Sequence, residues 1–329
     1  MRDPRRIFAD RSARVLRFER EPERWVPALS GHRTTARATL LVAILGIMAG
    51  QASAIPDPGI VPKRKPAAKK SPVDGKRIIF PVLGKFRYSD DFGDARPQGR
   101  HEGNDIVAPR KALAVAAEPG RVKFHITSWA AGCMLYLYGD SGTTYVYIHL
   151  NNDLGMTNDN KGRCAPGIAF APGLKSGAQV AAGEPVGFVG DSGDANGIEP
   201  HLHFEVHPKN GGAVNPFPYL NRAWRLLFAA PRKGQTSLWL KGSVLDRQVD
   251  ALKVQVNSLG VRTTGLKLNG ISRAVSLAVE PYTQIEQAVG AILGKERATV
   301  WTEIMPVTLD AQLGKPGAIT AERILLSGR

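Results

Sequence analysis

Seven histidines occur in the 329 residues, and three short segments gather four of them into arrangements suited to a metal ion. His101-Glu102-Gly103-Asn104-Asp105 places an imidazole and a carboxylate four positions apart. His201-Leu202-His203 sets two imidazoles on one face of a strand, because side chains alternate with period two. Tyr147-Ile148-His149 ends an aromatic-rich run with a further imidazole. A catalytic zinc takes three protein ligands of imidazole or carboxylate type and keeps a fourth position open. His101, Asp105 and one of His201 and His203 meet that count. His149 and the other member of the pair are then available to handle protons or stabilise an oxyanion. Chance alone supplies about 0.15 H-x-H pairs in a chain of this composition, so the pair by itself is weak evidence. The joint occurrence, in this order and on strand edges or turns, gives the set its weight.

These residues must be positioned by β structure. From Ile78 to Leu220, short apolar or alternating runs fall at Ile78–Val82, Ala112–Ala116, Val122–Ile126, Met134–Tyr138, Thr144–Leu150, Gln179–Ala181, Pro185–Val189 and His201–His207. Turn signals such as Glu118-Pro119-Gly120 and Gly190-Asp191-Ser192-Gly193 separate them, which predicts an antiparallel sheet or barrel. The aperiodic stretch from Asn151 to Gly173 reads as a long surface loop. After a link over 222–234, Leu238–Leu245, Ala251–Leu259, Ala274–Val279, Ala298–Met305 and Ile319–Leu326 read as five further strands. Apolar residues at Ile285, Val289 and Leu293 predict one short helix over Thr283–Leu293. Five strands and a helix in this length suggest a small closed barrel of the oligonucleotide/oligosaccharide-binding type. The fold class expected is therefore mainly β: an antiparallel β-sheet domain over 78–222 and a small C-terminal β-barrel-like domain over 235–329.

The formal charge is +15, but residues 1–54 hold ten Arg against five Asp or Glu, which leaves +10 for the remainder. Such a surface favours polyanions: nucleic acid, anionic lipid or anionic wall polymers. The apolar run Leu40–Ala49 is about half the length of a spanning helix and is followed by Ala52-Ser53-Ala54, a small-x-small pattern. Residues 1–54 thus read as a cleaved signal peptide with a long n-region, leaving no stable membrane insertion. A Pro/Lys-rich linker follows over 55–77. The only cysteines are Cys133 and Cys164. In an oxidising compartment they could pair, closing a loop of about 30 residues worth roughly 3 kcal/mol, or they could stand as separate thiols.

Taken together, residues 78–220 resemble the LytM/lysostaphin family of zinc endopeptidases. The resemblance rests on His101-Glu102-Gly103-Asn104-Asp105, on Tyr147-Ile148-His149 and on His201-Leu202-His203-Phe204-Glu205. Asp91-Phe92-Gly93, the Gly183-to-Gly190 stretch and Asn215-Pro216-Phe217-Pro218-Tyr219-Leu220 agree with it. It implies an antiparallel β-sheet groove that holds an extended peptide, with His101, Asp105 and His203 as Zn2+ ligands and His149 and His201 as catalytic histidines. It also implies a secreted, extracytoplasmic hydrolase of the bacterial cell envelope acting on peptidoglycan peptides. The 151–177 loop is longer than in compact members and adjoins His149, where it would narrow the groove or act as a lid. The resemblance stops near residue 235.

Of the other polar residues, His125 and His207 read as structural or exposed, and Glu102 and Glu205 as supports for a ligand or as solvent-facing groups. A competing reading is a non-catalytic envelope module that binds peptidoglycan or activates another wall hydrolase. Nucleic-acid binding is disfavoured, because residues 235–329 hold only Trp239, Tyr282 and Trp301 as base-stacking aromatics of the Trp/Tyr type.

Overall fold

The computed structural model describes residues 77–328 apart from 98, 127, 230–233 and 289–295. The signal peptide over 1–54 and the linker up to residue 76 lie outside the described residues.

Seventeen strands occur among the described residues. Four two-residue strands, Ala95–Arg96, Gly99–Arg100, Gln235–Thr236 and Met305–Pro306, lie beside the main sheets. The thirteen that build the main sheets, numbered in chain order, are β1 (Asn104–Val107), β2 (Leu113–Val115), β3 (Gly120–His125), β4 (Cys133–Gly139), β5 (Thr144–Leu150), β6 (Gln179–Val180), β7 (Pro185–Phe188) and β8 (His201–His207), then β9 (Leu238–Arg247), β10 (Ala251–Val261), β11 (Lys267–Gln287), β12 (Arg297–Thr302) and β13 (Thr320–Ser327). The architecture is mainly β. Strands β1-β8-β5-β4-β3-β6 form one six-stranded sheet in which every pairing is antiparallel. β2 and β7 pair as a second layer. Among the described residues no helix is long and apolar enough to cross a membrane.

Alternation decides which face of the large sheet is buried. Leu202, Phe204 and Val206 of β8, Tyr145 and Tyr147 of β5, and Leu135 and Leu137 of β4 pack into one apolar core. The opposite face carries His201, His203, Glu205 and His207. Tyr147 is fully buried, and its hydroxyl donates to the Val115 carbonyl at 3.0 Å while accepting the Ala117 N–H at 2.9 Å. Tyr147→Phe leaves both backbone groups unpaired in the core and is expected to cost about 1–3 kcal/mol of unfolding free energy. Urea denaturation checks this; a midpoint equal to wild type would contradict it.

The expected surface loop is only partly at the surface. Ala169, Phe170 and Ala171 dip into the core, and Phe170 stacks on Phe124 with ring centroids 3.8 Å apart. A single apolar cluster without periodicity gave no strand signal but still buries. Cys133 and Cys164 are joined as a disulfide, which ties this loop to β4.

The second region is a closed barrel of order β9-β10-β11-β13-β12, with β11 and β13 parallel and all other neighbours antiparallel. This is the five-stranded closure expected of the oligonucleotide/oligosaccharide-binding type. The helix expected over Thr283–Leu293 does not form in its first half. Thr283–Gln287 continue β11, and Ile285 and Gln287 pair with Ile324 and Leu326 of β13. Barrel closure outweighs a three-residue helical periodicity; the other two of its residues, Val289 and Leu293, lie outside the described residues. A short helix instead spans Leu309–Leu313, capped by the Thr308 side chain and ended by Gly314 in the left-handed region.

The barrel packs against the β2 layer. Ile79, Leu83, Leu113 and Val115 meet Leu226, Ala229 and Leu313 in one apolar cluster. The half-buried Arg273 guanidinium donates to the carbonyls of Arg225 and Leu313 at 2.7 and 2.6 Å. All residues lining the histidine groove fall between Arg96 and Glu205, so the barrel contributes none.

Candidate metal centre and groove

Register brings the first two ligand candidates together. Asp105 on β1 lies directly opposite His203 on β8, both on the exposed side of the sheet. His101 sits just before β1 and completes a cluster in which Nε2 of His101, Nδ1 of His203 and Oδ1 of Asp105 are mutually 2.9, 3.1 and 3.1 Å apart. Among the described residues this is the one group of His, Cys, Asp or Glu donors close enough to share an ion.

Outer hydrogen bonds fix what these atoms present. His101 Nδ1–H donates to the Asp91 carbonyl at 2.9 Å, so Nε2 offers a lone pair. His203 Nε2–H donates to Glu205 Oε1 at 3.1 Å, so Nδ1 offers a lone pair. Two lone pairs and a carboxylate oxygen thus converge, each about 3 Å from the other two. Tetrahedral ligands bound at 2.0–2.1 Å would stand roughly 3.3 Å apart, so the three donors fit a zinc-sized ion after small adjustments. Protons answer the same demand in the metal-free protein. Burial alone would lower His203, yet its bonds to Asp105 and Glu205 raise it to about 9. Burial likewise opposes ionisation of Asp105, but the His101 and His203 bonds hold it well below the usual carboxylate range.

Gly103 explains the glycine of the first motif. A Cβ built there would stand 2.5 Å from His203 Nε2 and 2.9 Å from the Phe204 carbonyl, so a side chain would displace the His203 ring.

Simple alternation does not place His149. With Tyr145 and Tyr147 facing the core, period two would send His149 inward as well. Instead Cys133 pairs with Leu150 but Leu135 with Tyr147, so β5 carries one extra residue there, a β-bulge. His149 itself adopts φ 59°, in the left-handed region, and the ring turns into the groove. Its Nδ1–H donates to the Ser192 carbonyl at 2.8 Å. His201 Nδ1–H donates to the Glu199 carbonyl at 2.8 Å. The two rings, 5.0 Å apart, therefore direct Nε2 away from these carbonyls, and both line the groove beside the His101, Asp105 and His203 cluster. Together the five predicted residues line one open groove of about 600 Å³.

Burial pushes His149 down to about 4, with His201 adding to the effect. The folded state therefore refuses a proton that the unfolded chain accepts at about 6.5, so stability present above pH 6.5 is lost as pH falls toward 4. The loss in metal-free protein is expected to reach about 3 kcal/mol at most. His149→Asn, which tolerates the left-handed backbone, should lack this component. Denaturation midpoints at pH 7 and pH 4 measure it; an equal acid loss in both proteins would contradict the assignment.

Several supporting residues gave little sequence signal. Arg96 donates to Asp105 Oδ2 at 2.8 Å from a two-residue strand that sequence patterning missed. Asp91, noted only as part of a flanking motif, receives His101 on its carbonyl and Asn104 on its carboxylate. His207, expected to be structural or exposed, bonds Glu205 Oε2 at 2.6 Å and so braces the carboxylate that holds His203. Glu102 stays exposed. Arg110 forks onto Asp191 and also meets Asp153, both carboxylates fully buried. Asp153 Oδ1 accepts the Asp159 and Asn160 amides at 2.7 Å each. No residue of 151–177 lines the groove; the loop instead buttresses the segment behind His149 through Asn158 and Asn196.

Residues 169–216 match Peptidase family M23. The match contains His201 and His203 and stops short of His101, Asp105 and His149. The L-Ala--D-Glu endopeptidase of Bacillus subtilis is 29% identical over 156 residues, covering 44% of this chain and 42% of the relative. The chain thus spans under half the length of that curated relative. Among solved structures, the catalytic domain of lysostaphin from Staphylococcus simulans aligns at 22% identity over 41% of this chain and 92% of that one, TM-score 0.32. A zinc-containing peptidase from Vibrio cholerae aligns at 23% identity over 44% and 40% of the respective chains, TM-score 0.32. The family match and the Bacillus relative carry the resemblance to M23 peptidases.

Proposed function

We propose that the chain is a zinc metalloendopeptidase of the bacterial cell envelope that hydrolyses peptide bonds in peptidoglycan. In this reading residues 78–222 form the peptidase domain and 235–329 an appended barrel, the mature protein is exported, and His101, Asp105 and His203 hold Zn2+. The observation that carries it is the convergence of three metal-donor atoms beside two oriented imidazoles in an open groove on a sheet face. The M23 match and the L-Ala--D-Glu endopeptidase name of the Bacillus relative support the choice of a peptide substrate.

Zinc, when bound, supplies Lewis acidity that polarises a carbonyl and acidifies water. The chain supplies the rest. An extended peptide lies along the groove with its scissile carbonyl beside the ligand cluster. His149 or His201 takes the proton of the attacking water at Nε2, each ring oriented by the backbone carbonyl on its Nδ1. The ring that has taken the proton then donates to the oxyanion, and finally returns a proton to the leaving amine. Burial keeps His149 neutral across the physiological range, the state a base requires.

Digestion of defined muropeptides, followed by mass spectrometry, tests the reading. Cleavage at one peptide position is expected. Stoichiometric zinc without turnover on any wall preparation would instead support a non-catalytic module that binds peptidoglycan or activates another hydrolase.

A further inference from the structure

Beyond the metal centre, the groove face of the six-stranded sheet continues toward β3 and changes character. Across the register, Glu205 lies opposite Val146, Val146 opposite Tyr136, and Tyr136 opposite Lys123. The next row runs from His207 through Thr144 and Tyr138 to Arg121. Alternation keeps residues two apart on one face, so Tyr136, Tyr138, Lys123, Arg121 and His125 share the face of His203 and Glu205. Tyr136 stands two strands from β8, about 10 Å along the hydrogen-bonding direction.

Tyr136 lies near-parallel to Tyr138 with centroids 6.2 Å apart and tilts against His125 at 4.3 Å. Tyr138 is 40% exposed. Among the described residues neither tyrosine hydroxyl has a hydrogen-bond partner; neither Lys123 nor Arg121 has a carboxylate partner, and Arg121 donates to the Gly177 carbonyl at 2.9 Å. The apolar core is built from the opposite face, so folding does not call for these rings. Flat aromatic faces accept the C–H faces of sugar rings, and cations without a carboxylate partner at their margin attract carboxylates.

We propose that this aromatic and cationic face binds an acidic glycan strand, the polysaccharide that carries the peptides entering the groove. The identity of the ligand rests on the peptidase reading; the platform itself does not involve the metal ligands.

The test uses the full chain and two probes: peptide-free peptidoglycan strands with free lactyl carboxylates, and neutral chitin oligosaccharides. Calorimetry is expected to show binding to the acidic strands that weakens with salt, and weaker binding to chitin. Tyr136→Ala and Tyr138→Ala should each weaken strand binding about five- to tenfold, the scale of one aromatic contact, while cleaving a short glycan-free peptide at the wild-type rate. Replacing Lys123 and Arg121 together by Gln should remove the preference for acidic strands. Wild-type protein that binds neither glycan, or ring variants that bind as wild type does, would overturn the platform. Peptide cleavage without glycan binding would sink this inference alone; glycan binding without peptide cleavage would uphold it and remove the peptidase reading.

Discussion

Asp105→Ala is expected to purify without bound zinc and to lose about a thousandfold or more in peptide hydrolysis. Asp105 contributes the only carboxylate to the donor cluster, and its second oxygen anchors Arg96. Removing it leaves two imidazole lone pairs, too few for a protein-held catalytic ion. His201→Ala should behave differently, keeping its metal and losing turnover, because its Nε2 is 3.9 Å from Asp105 and outside the cluster. Metal analysis of the two variants separates the roles within the H-x-H pair. A metal-free His201→Ala with a metal-loaded His203→Ala would reverse the assignment.

The second large effect concerns Arg110. Its guanidinium is the cationic partner of two carboxylates that have no exposed surface. Arg110→Met leaves both buried without a counter-charge, a loss of about 3–5 kcal/mol. For a domain of this size that lowers the melting temperature by about 10 °C. Activity should fall as well, since Asp191 precedes Ser192, whose carbonyl orients His149. A melting temperature within about 2 °C of wild type would show that the fork contributes little.

Motif chemistry made the five groove residues legible, but for unequal reasons. His201 and His203 follow from alternation along β8, and their spacing alone places both on one face. Asp105 needed the pairing of β1 with β8, a strand too short to show periodicity. His149 is the instructive case. Period two gives the wrong face for it, and only the bulge with its left-handed residue delivers the ring to the groove. Strand patterning found most of the sheet because half-buried strands alternate. It failed at Thr283–Gln287, where pairing with β13 sets the conformation, and at Phe170, a buried residue inside an aperiodic loop. The Arg110–Asp153–Asp191 network was invisible because its members are 38 or more positions apart and charged residues carry no periodic signal.

The central claim is that one ion, shared by His101, Asp105 and His203, is required for hydrolysis. Titrating zinc into metal-stripped protein while following cleavage of a defined wall peptide tests it directly. The rate should rise from near zero and break at one equivalent. Undiminished cleavage by the stripped protein, or no cleavage at full occupancy, would contradict the claim.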